Sequence, residues 1–435
     1  MRHKIVILYF VSIVLGVIVG LVGSSFRLSI DLVGSSLMHV VHLLGGQGWL
    51  AGIISGAFSM LMVLSAFMAV KYIAPEAGGS GVQEIEGALL HVRPIHWHRL
   101  LPVKYFFGIL AISSNMILGR EGPTIHVGGN LGEMLGCVFN LSRRRRDSLI
   151  AAGAAAGLAV AFNAPLAGVI FVMEEMRNQF NYSFTSFTIV VITCITATVM
   201  MDLIIGTQAT IPMDVFQFPS LDALWLFVFF GFIVGLAGLF FNKALMATLA
   251  WVDRLSASQK LIYVSIVSFL VGYLAVSTPA ATGGGMHIIH QALTLSPGFA
   301  ILCMLFLIRF VGSIACYATG IPGGIFAPTL ALGTLLGLAS FQMLIFFHLD
   351  FLVHPGMFAV AGMAAFFAAI TRSPITGGIL VVEMTQNYAL IFPVMITCIC
   401  ATIMLQLARN EPIYAQLLER TMRNSTFKSV SKHTS

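Results

Sequence analysis

Gly119-Arg120-Glu121-Gly122-Pro123-Thr124-Ile125-His126-Val127-Gly128 has a counterpart in the other half of the chain, Gly324-Ile325-Phe326-Ala327-Pro328-Thr329-Leu330-Ala331-Leu332-Gly333. The first Gly, the Pro, the Thr and the last Gly coincide. Further on, Ala152-Gly153 with Ala155-Ala156 matches Ala361-Gly362 with Ala364-Ala365. Pro165, Gly168, Ile170, Val172 and Glu174 then match Pro374, Gly377, Ile379, Val381 and Glu383 in the same order. One coincidence would mean little; the series implies a duplicated chain. Internal duplication is a signature of secondary-transporter folds, in which a site forms between repeats from broken helices.

The composition agrees with a membrane protein. The chain is 58% hydrophobic and 9% charged, where a soluble domain carries about 25% charged residues. Apolar runs at 5–22, 149–173, 224–249, 261–276 and 301–316 approach the roughly 20 residues a membrane span needs. The first of them lacks a clear small-residue cleavage site, and many spans follow it, so it does not read as a removable signal. The expected organisation is a first membrane repeat over 1–201, a connection over 202–222, a second repeat over 223–422 and a short polar cytoplasmic tail over 423–435. The fold class expected is an all-α polytopic membrane protein whose two repeats are inverted. Broken helices would meet at a mid-membrane anion site.

The net charge of +6 does not point to nucleic acid. Positive residues gather at Arg2, Lys4, the run 143–146, Arg420, Arg423, Lys428 and Lys432. By the positive-inside rule both termini and the 143–146 loop are expected in the cytoplasm. The six cysteines, Cys137, Cys194, Cys303, Cys316, Cys398 and Cys400, lie in apolar segments without metal-ligand spacing. They read as small buried hydrophobes, and no metal is expected. No phosphate-loop motif is present, so no nucleotide cofactor is expected either.

Glycine and proline announce the helix breaks. Gly78-Gly79-Ser80-Gly81, the segment at 119–123 and Gly320-Ile321-Pro322-Gly323-Gly324-Ile325-Phe326-Ala327-Pro328 each precede an apolar, helical-looking stretch. Such breaks are tolerated at membrane depth only where they are buried in protein or line a watery cavity. Each predicts a helix N-terminus inside the membrane, with free amides and about half a positive charge. Converging helix starts would hold an anion without a full opposing charge. Glu121 stands out here, because a charge at bilayer depth costs at least about 2.5–3.5 kcal/mol and usually lines a path.

In this order and spacing the motifs resemble the CLC family of chloride channels and proton-coupled chloride transporters, of the prokaryotic type without a regulatory domain. The resemblance covers nearly the whole chain and includes Asn163-Ala164-Pro165-Leu166-Ala167-Gly168, Glu174-Glu175-Met176 and Pro412-Ile413-Tyr414. It implies a homodimer with one anion path per subunit. It implies that Ser80, Tyr414 and the amides of Ile325 and Phe326 bind chloride, that Glu121 is the gate, and that Glu175 passes protons from the cytoplasm. Glu86 and Lys104 match buried ionisable positions that would tune Glu175. The chain departs from the family at Val82-Gln83, where Ile-Pro is commoner, and loses a rigid first helical turn.

Blander readings exist for each residue. Glu121 could pair structurally with Arg120. The end of the span at Glu174-Glu175 could be solvated. Ser80 could simply cap a helix, Tyr414 could be an interface aromatic, and Lys104 could equally be buried or snorkel to an interface. His126 reads as a polar wall residue. The expected function is a Cl⁻/H⁺ exchanger, with chloride as substrate, no cofactor, membrane lipid around it and a prokaryotic plasma membrane as its location. The alternatives are a passive chloride channel of the same family and an intramembrane hydrolase using Ser80 with His126 or His287 as base. Nothing suggests an enzyme more strongly than a transporter.

Overall fold

The computed structural model describes residues 2–433 apart from 47, 178, 180–182, 214–215, 217–219, 296 and 349–353. Parts of the expected 202–222 connection and the last two residues of the expected tail therefore lie outside the described residues. The described chain is almost wholly helical, and among the described residues the only β-type contacts are two isolated bridges, Gly79 with Pro322 and Gly119 with Gly324. Among the described residues eight helices are long and apolar enough to cross a membrane. The protein is a multi-pass integral membrane protein. The longest of these helices, Ile5–Gly45, has 41 residues; at 1.5 Å per residue it exceeds the roughly 30 Å of hydrocarbon and has to tilt or emerge.

Small residues decide how the inner helices pack. Glu121–Val138 lies against Arg143–Phe162, and Phe326–Phe346 against Pro355–Thr371. A side chain on Gly128 would collide with the Gly153 carbonyl, and one on Gly333 with the Gly362 carbonyl. Without an oil–water driving force between helices, close backbone approach at small residues supplies the attraction. The matched positions of the two halves thus make matched contacts.

Helix ends follow the same pairing. Asn163 has φ 54°, in the left-handed region, and Pro165 opens the next helix; Arg372 has φ 61° and Pro374 opens its counterpart. Proline suits a first turn, where its missing N–H would be unpaired anyway. These two short helices, Pro165–Glu175 and Pro374–Thr385, cap each other. Glu383 accepts hydrogen bonds from the amides of Leu166 (3.1 Å) and Ala167 (2.7 Å). Glu174 accepts from the amides of Ile375 (3.1 Å) and Thr376 (2.7 Å) and from the Thr376 hydroxyl (2.7 Å). Each carboxylate satisfies first-turn amides that have no partner within their own helix. Glu174 is therefore not a solvated helix end. At the C-terminus, the helix Ile413–His433 carries the chain through most of the polar segment expected as a tail.

Candidate functional site

The third glycine-rich break is bonded to each of the other two. The Gly79 amide donates to the Ile321 carbonyl (3.0 Å), and the Gly323 amide donates to the Gly79 carbonyl (3.1 Å). Gly119 and Gly324 exchange both of their bonds, each 2.7 Å. Gly79 has φ +61° and Gly81 φ +93°, conformations that favour glycine. A side chain on Gly122 would run into the Ser80 hydroxyl. The helices Val82–Leu89, Glu121–Val138 and Phe326–Phe346 start from these breaks. Their starts are thereby brought together, as the sequence predicts.

Ser80 and Tyr414 are both fully buried, and neither hydroxyl has a hydrogen-bond partner in the protein. The Ser80 hydroxyl nevertheless lies near enough to the Tyr414 hydroxyl to act on it, short of hydrogen-bond geometry. Buried polar groups nearly always find a partner, and although Ser24, Ser55, Thr198 and Ser313 are also left without one, Ser80 and Tyr414 are the pair that lie beside each other. Tyr414 stacks on Phe326, with ring centroids 5.9 Å apart and planes at 25°. Phe326 is the first residue of its helix and Ile325 its N-cap, so their amides have no carbonyl one turn earlier to bond. The sequence-predicted anion residues are thus close neighbours around apolar walls that include Phe171 and Phe367.

Glu121 is 1% exposed. Its carboxylate accepts from the Ala327 amide at 3.4 Å, in the first turn of the Phe326–Phe346 helix. A carboxyl group therefore already occupies the electropositive start of that helix. Among the described residues no salt bridge within 4 Å joins Glu121 to Arg120, although Arg120 acts on Glu121 as an opposite charge from further away.

Glu175 ends the Pro165–Glu175 helix and accepts a hydrogen bond from the Ser373 hydroxyl. Glu86, 2% exposed, leaves one carboxylate oxygen without a partner, and Glu175 acts on it as a like charge. Lys104 takes the buried one of its two readings. It is fully buried and does not snorkel; its ammonium donates to the carbonyls of Ala77 (2.9 Å) and Gly79 (2.7 Å). No contact from it to Glu175 is formed; its electrostatic partner is Glu84, which is itself held by Arg93 at 2.9 Å. Lys104 thus pins the first break. The physical reason is that a buried ammonium needs acceptors close at hand, and the unpaired carbonyls of a helix break supply them.

A cavity of about 430 Å³ approaches the site along Gly78, Gly79, Gln83, Tyr317, Gly320 and Arg420. Its arginines are held: Arg420 makes two 2.7 Å bonds to Asp253, and Arg93 pairs with Glu84. His126 is buried with Nδ1 unpartnered and its ring against Gly81. Among the described residues no group of three or more His, Cys, Asp or Glu could hold a metal, and no disulfide forms. Sequence reasoning missed Ser373 and Tyr317, whose hydroxyl takes a long bond from the Ser80 amide (3.5 Å). Ser373 carried a signal, because a serine just before a helix-opening proline is a natural capping position. Tyr317 carried none.

The comparisons agree with this geometry. The family profile described as voltage gated chloride channel matches residues 61–406. A protein of Vibrio parahaemolyticus called H(+)/Cl(-) exchange transporter ClcA is 43% identical over 94% of this chain and 89% of its own length. The protein of the same name from Yersinia pseudotuberculosis is 39% identical over 96% of this chain and 88% of its own. Among solved structures, a slow cyanobacterial Cl⁻/H⁺ antiporter superposes with a TM-score of 0.92 at 34% identity, over 96% of this chain and 98% of that one. With its three stitched helix breaks, its carboxylate at a helix start and a match across most of its length, the chain belongs to the voltage-gated chloride channel, or CLC, family.

Proposed function

We propose that the protein is a secondary active exchanger that moves chloride against protons. The observation that carries this reading is the Glu121 carboxylate on the Ala327 amide, beside two buried hydroxyls without protein partners. A carboxylate in an anion position competes with chloride; once protonated it no longer does, and that competition couples the two ions. Chloride would bind between Ser80, Tyr414 and the amides of Ile325 and Phe326. Glu175 would take protons from the cytoplasmic side, with Glu86 as its acidic neighbour, and Glu121 would receive them. The names of the relatives, exchange transporters and an antiporter, support exchange over a passive channel. The hydrolase reading gains no support, because the Ser80 hydroxyl is bonded to no histidine.

We also propose that residues 1–201 and 223–422 are inverted repeats, supported by the matched glycine contacts and reciprocal caps. A homodimer would cover part of the apolar surface around Phe184 (83% exposed), Leu203 (75%), Phe392 (65%) and Leu407 (74%), with lipid over the rest. The basic ends favour cytoplasmic termini in a prokaryotic plasma membrane. The test is reconstitution in liposomes with an imposed chloride gradient. Uphill proton movement is expected; chloride flux without proton movement at any pH would leave a channel.

A further inference from the structure

Gln83 stands at the second position of the Val82–Leu89 helix, and the mechanism above does not use it. It is 7% exposed and lines the 430 Å³ cavity with Gly78, Gly79, Tyr317 and Arg420. Its side-chain oxygen accepts from the Gly81 amide at 3.2 Å. That bond decides two things at once. The Gly81 N–H, one of the free donors at a helix start beside Ser80, is occupied and cannot face an incoming ion. The carboxamide is also oriented, because fixing its oxygen fixes its nitrogen. A methyl group built on Gly79 would lie 3.7 Å from that nitrogen and 3.1 Å from the Tyr317 hydroxyl. The two N–H donors therefore lie over the Gly79 backbone, where the cavity meets the first break, and among the described residues they have no hydrogen-bond partner.

We propose that Gln83 is an anion-binding residue at the entry of the path: its carboxamide moves the donors at the cavity's inner end from the backbone to a side chain and helps strip water from chloride entering there. This rests on the exchanger reading. Most other polar groups of the cavity are engaged, Thr421 with the Leu417 carbonyl and Asn424 with Asp253, which leaves the Tyr317 hydroxyl as a second neutral group beside the carboxamide. Arg93 and Arg420 are paired with Glu84 and Asp253, so they set the sign of the field but have donors already engaged. Two neutral donors suit an ion that must dehydrate and then leave, since too strong a site would trap it.

Two near-isosteric variants test the idea. Gln83→Glu keeps the shape but presents only acceptors and a negative charge; Gln83→Met keeps the length with no polar group. Chloride dependence of flux and the proton-to-chloride ratio are measured in liposomes containing the full chain. The half-saturating chloride concentration is expected to rise tenfold or more for Gln83→Glu and about threefold for Gln83→Met, with the coupling ratio unchanged in both. If Gln83→Glu does not fold, the Met variant alone carries the test. Half-saturation equal to the parent's in the variants that fold overturns the role of Gln83. A changed coupling ratio also overturns it, because the residue would then act on Glu121 and not on ion entry. Parent protein that moves no chloride refutes the exchanger reading itself, which is a distinct result.

Discussion

Replacing Lys104 by methionine isolates the contribution of one buried cation to the architecture of the site. Methionine preserves the length and most of the volume but removes the donors to Ala77 and Gly79 (2.9 and 2.7 Å). Hydrogen bonds involving a charged group contribute about 1.5–3 kcal/mol each, so the pair supplies about 3–6 kcal/mol in gross terms. Removing a desolvated ammonium that has no directly bonded acid returns several kcal/mol. The net cost should be about 2 kcal/mol, left mostly as under-satisfied buried carbonyls. For a chain of this size that corresponds to a fall of roughly 2–5 °C in thermal midpoint, measured on purified protein without chloride. The Gly79 carbonyl also accepts from Gly323, so the damage should spread from the first break to the third. Calorimetric chloride affinity should then fall severalfold. A Lys104→Met protein with unchanged midpoint and unchanged affinity would refute the reasoning, and would mean that water takes over both carbonyls.

Glu121→Gln should conduct anions but neither move protons nor retain pH dependence, because an amide cannot shuttle a proton or act as an anion; uphill proton pumping by this mutant in liposomes would exclude Glu121 as the shared gate. In Glu175→Val proton transport should stop while chloride still crosses, since valine keeps the chloride site intact; normal coupling would transfer the role to a path that bypasses Glu175. Ser80→Ala combined with Tyr414→Ala removes two donors with no protein partner, and bromide anomalous density at the site should fall; undiminished density would mean that helix starts alone hold the ion.

Much of this was legible because backbone breaks have a local signature. The glycine and proline segments at 78–81, 119–123 and 320–328 each opened a helix, and the matched Gly128 and Gly333 each meet a glycine carbonyl across a helix pair. What remained hidden was the partner choice of polar side chains. Lys104 and Gly79 are 25 residues apart in sequence, and Ser373 meets Glu175 across 198; no periodicity reports such pairings. Glu174 and Glu175 illustrate the limit well. They are adjacent, identical in type and equally placed at a helix end, yet one caps a distant helix while the other faces a serine. Only the folded chain separates them. Gln83 stands out in the sequence as a departure from the family pattern, but its bond to Gly81 depends on a rotamer that sequence does not encode.

The four backbone bonds that join Gly79, Gly119, Ile321, Gly323 and Gly324 have a consequence for how fast such a protein can work. They cross-link the two halves of the chain at buried glycines, where few groups stand ready to replace a broken bond. A cycle in which the halves rocked apart would have to rupture them each time and would run on the microsecond-to-millisecond clock of collective motions. A cycle carried by side chains leaves them intact, and its tempo is then set by proton arrival and ion dehydration. In that second case the molecule would behave as a valve with a rigid seat. The amides of Gly79, Gly119, Gly323 and Gly324 should accordingly be among the last to exchange with deuterium, opening only when the whole fold does.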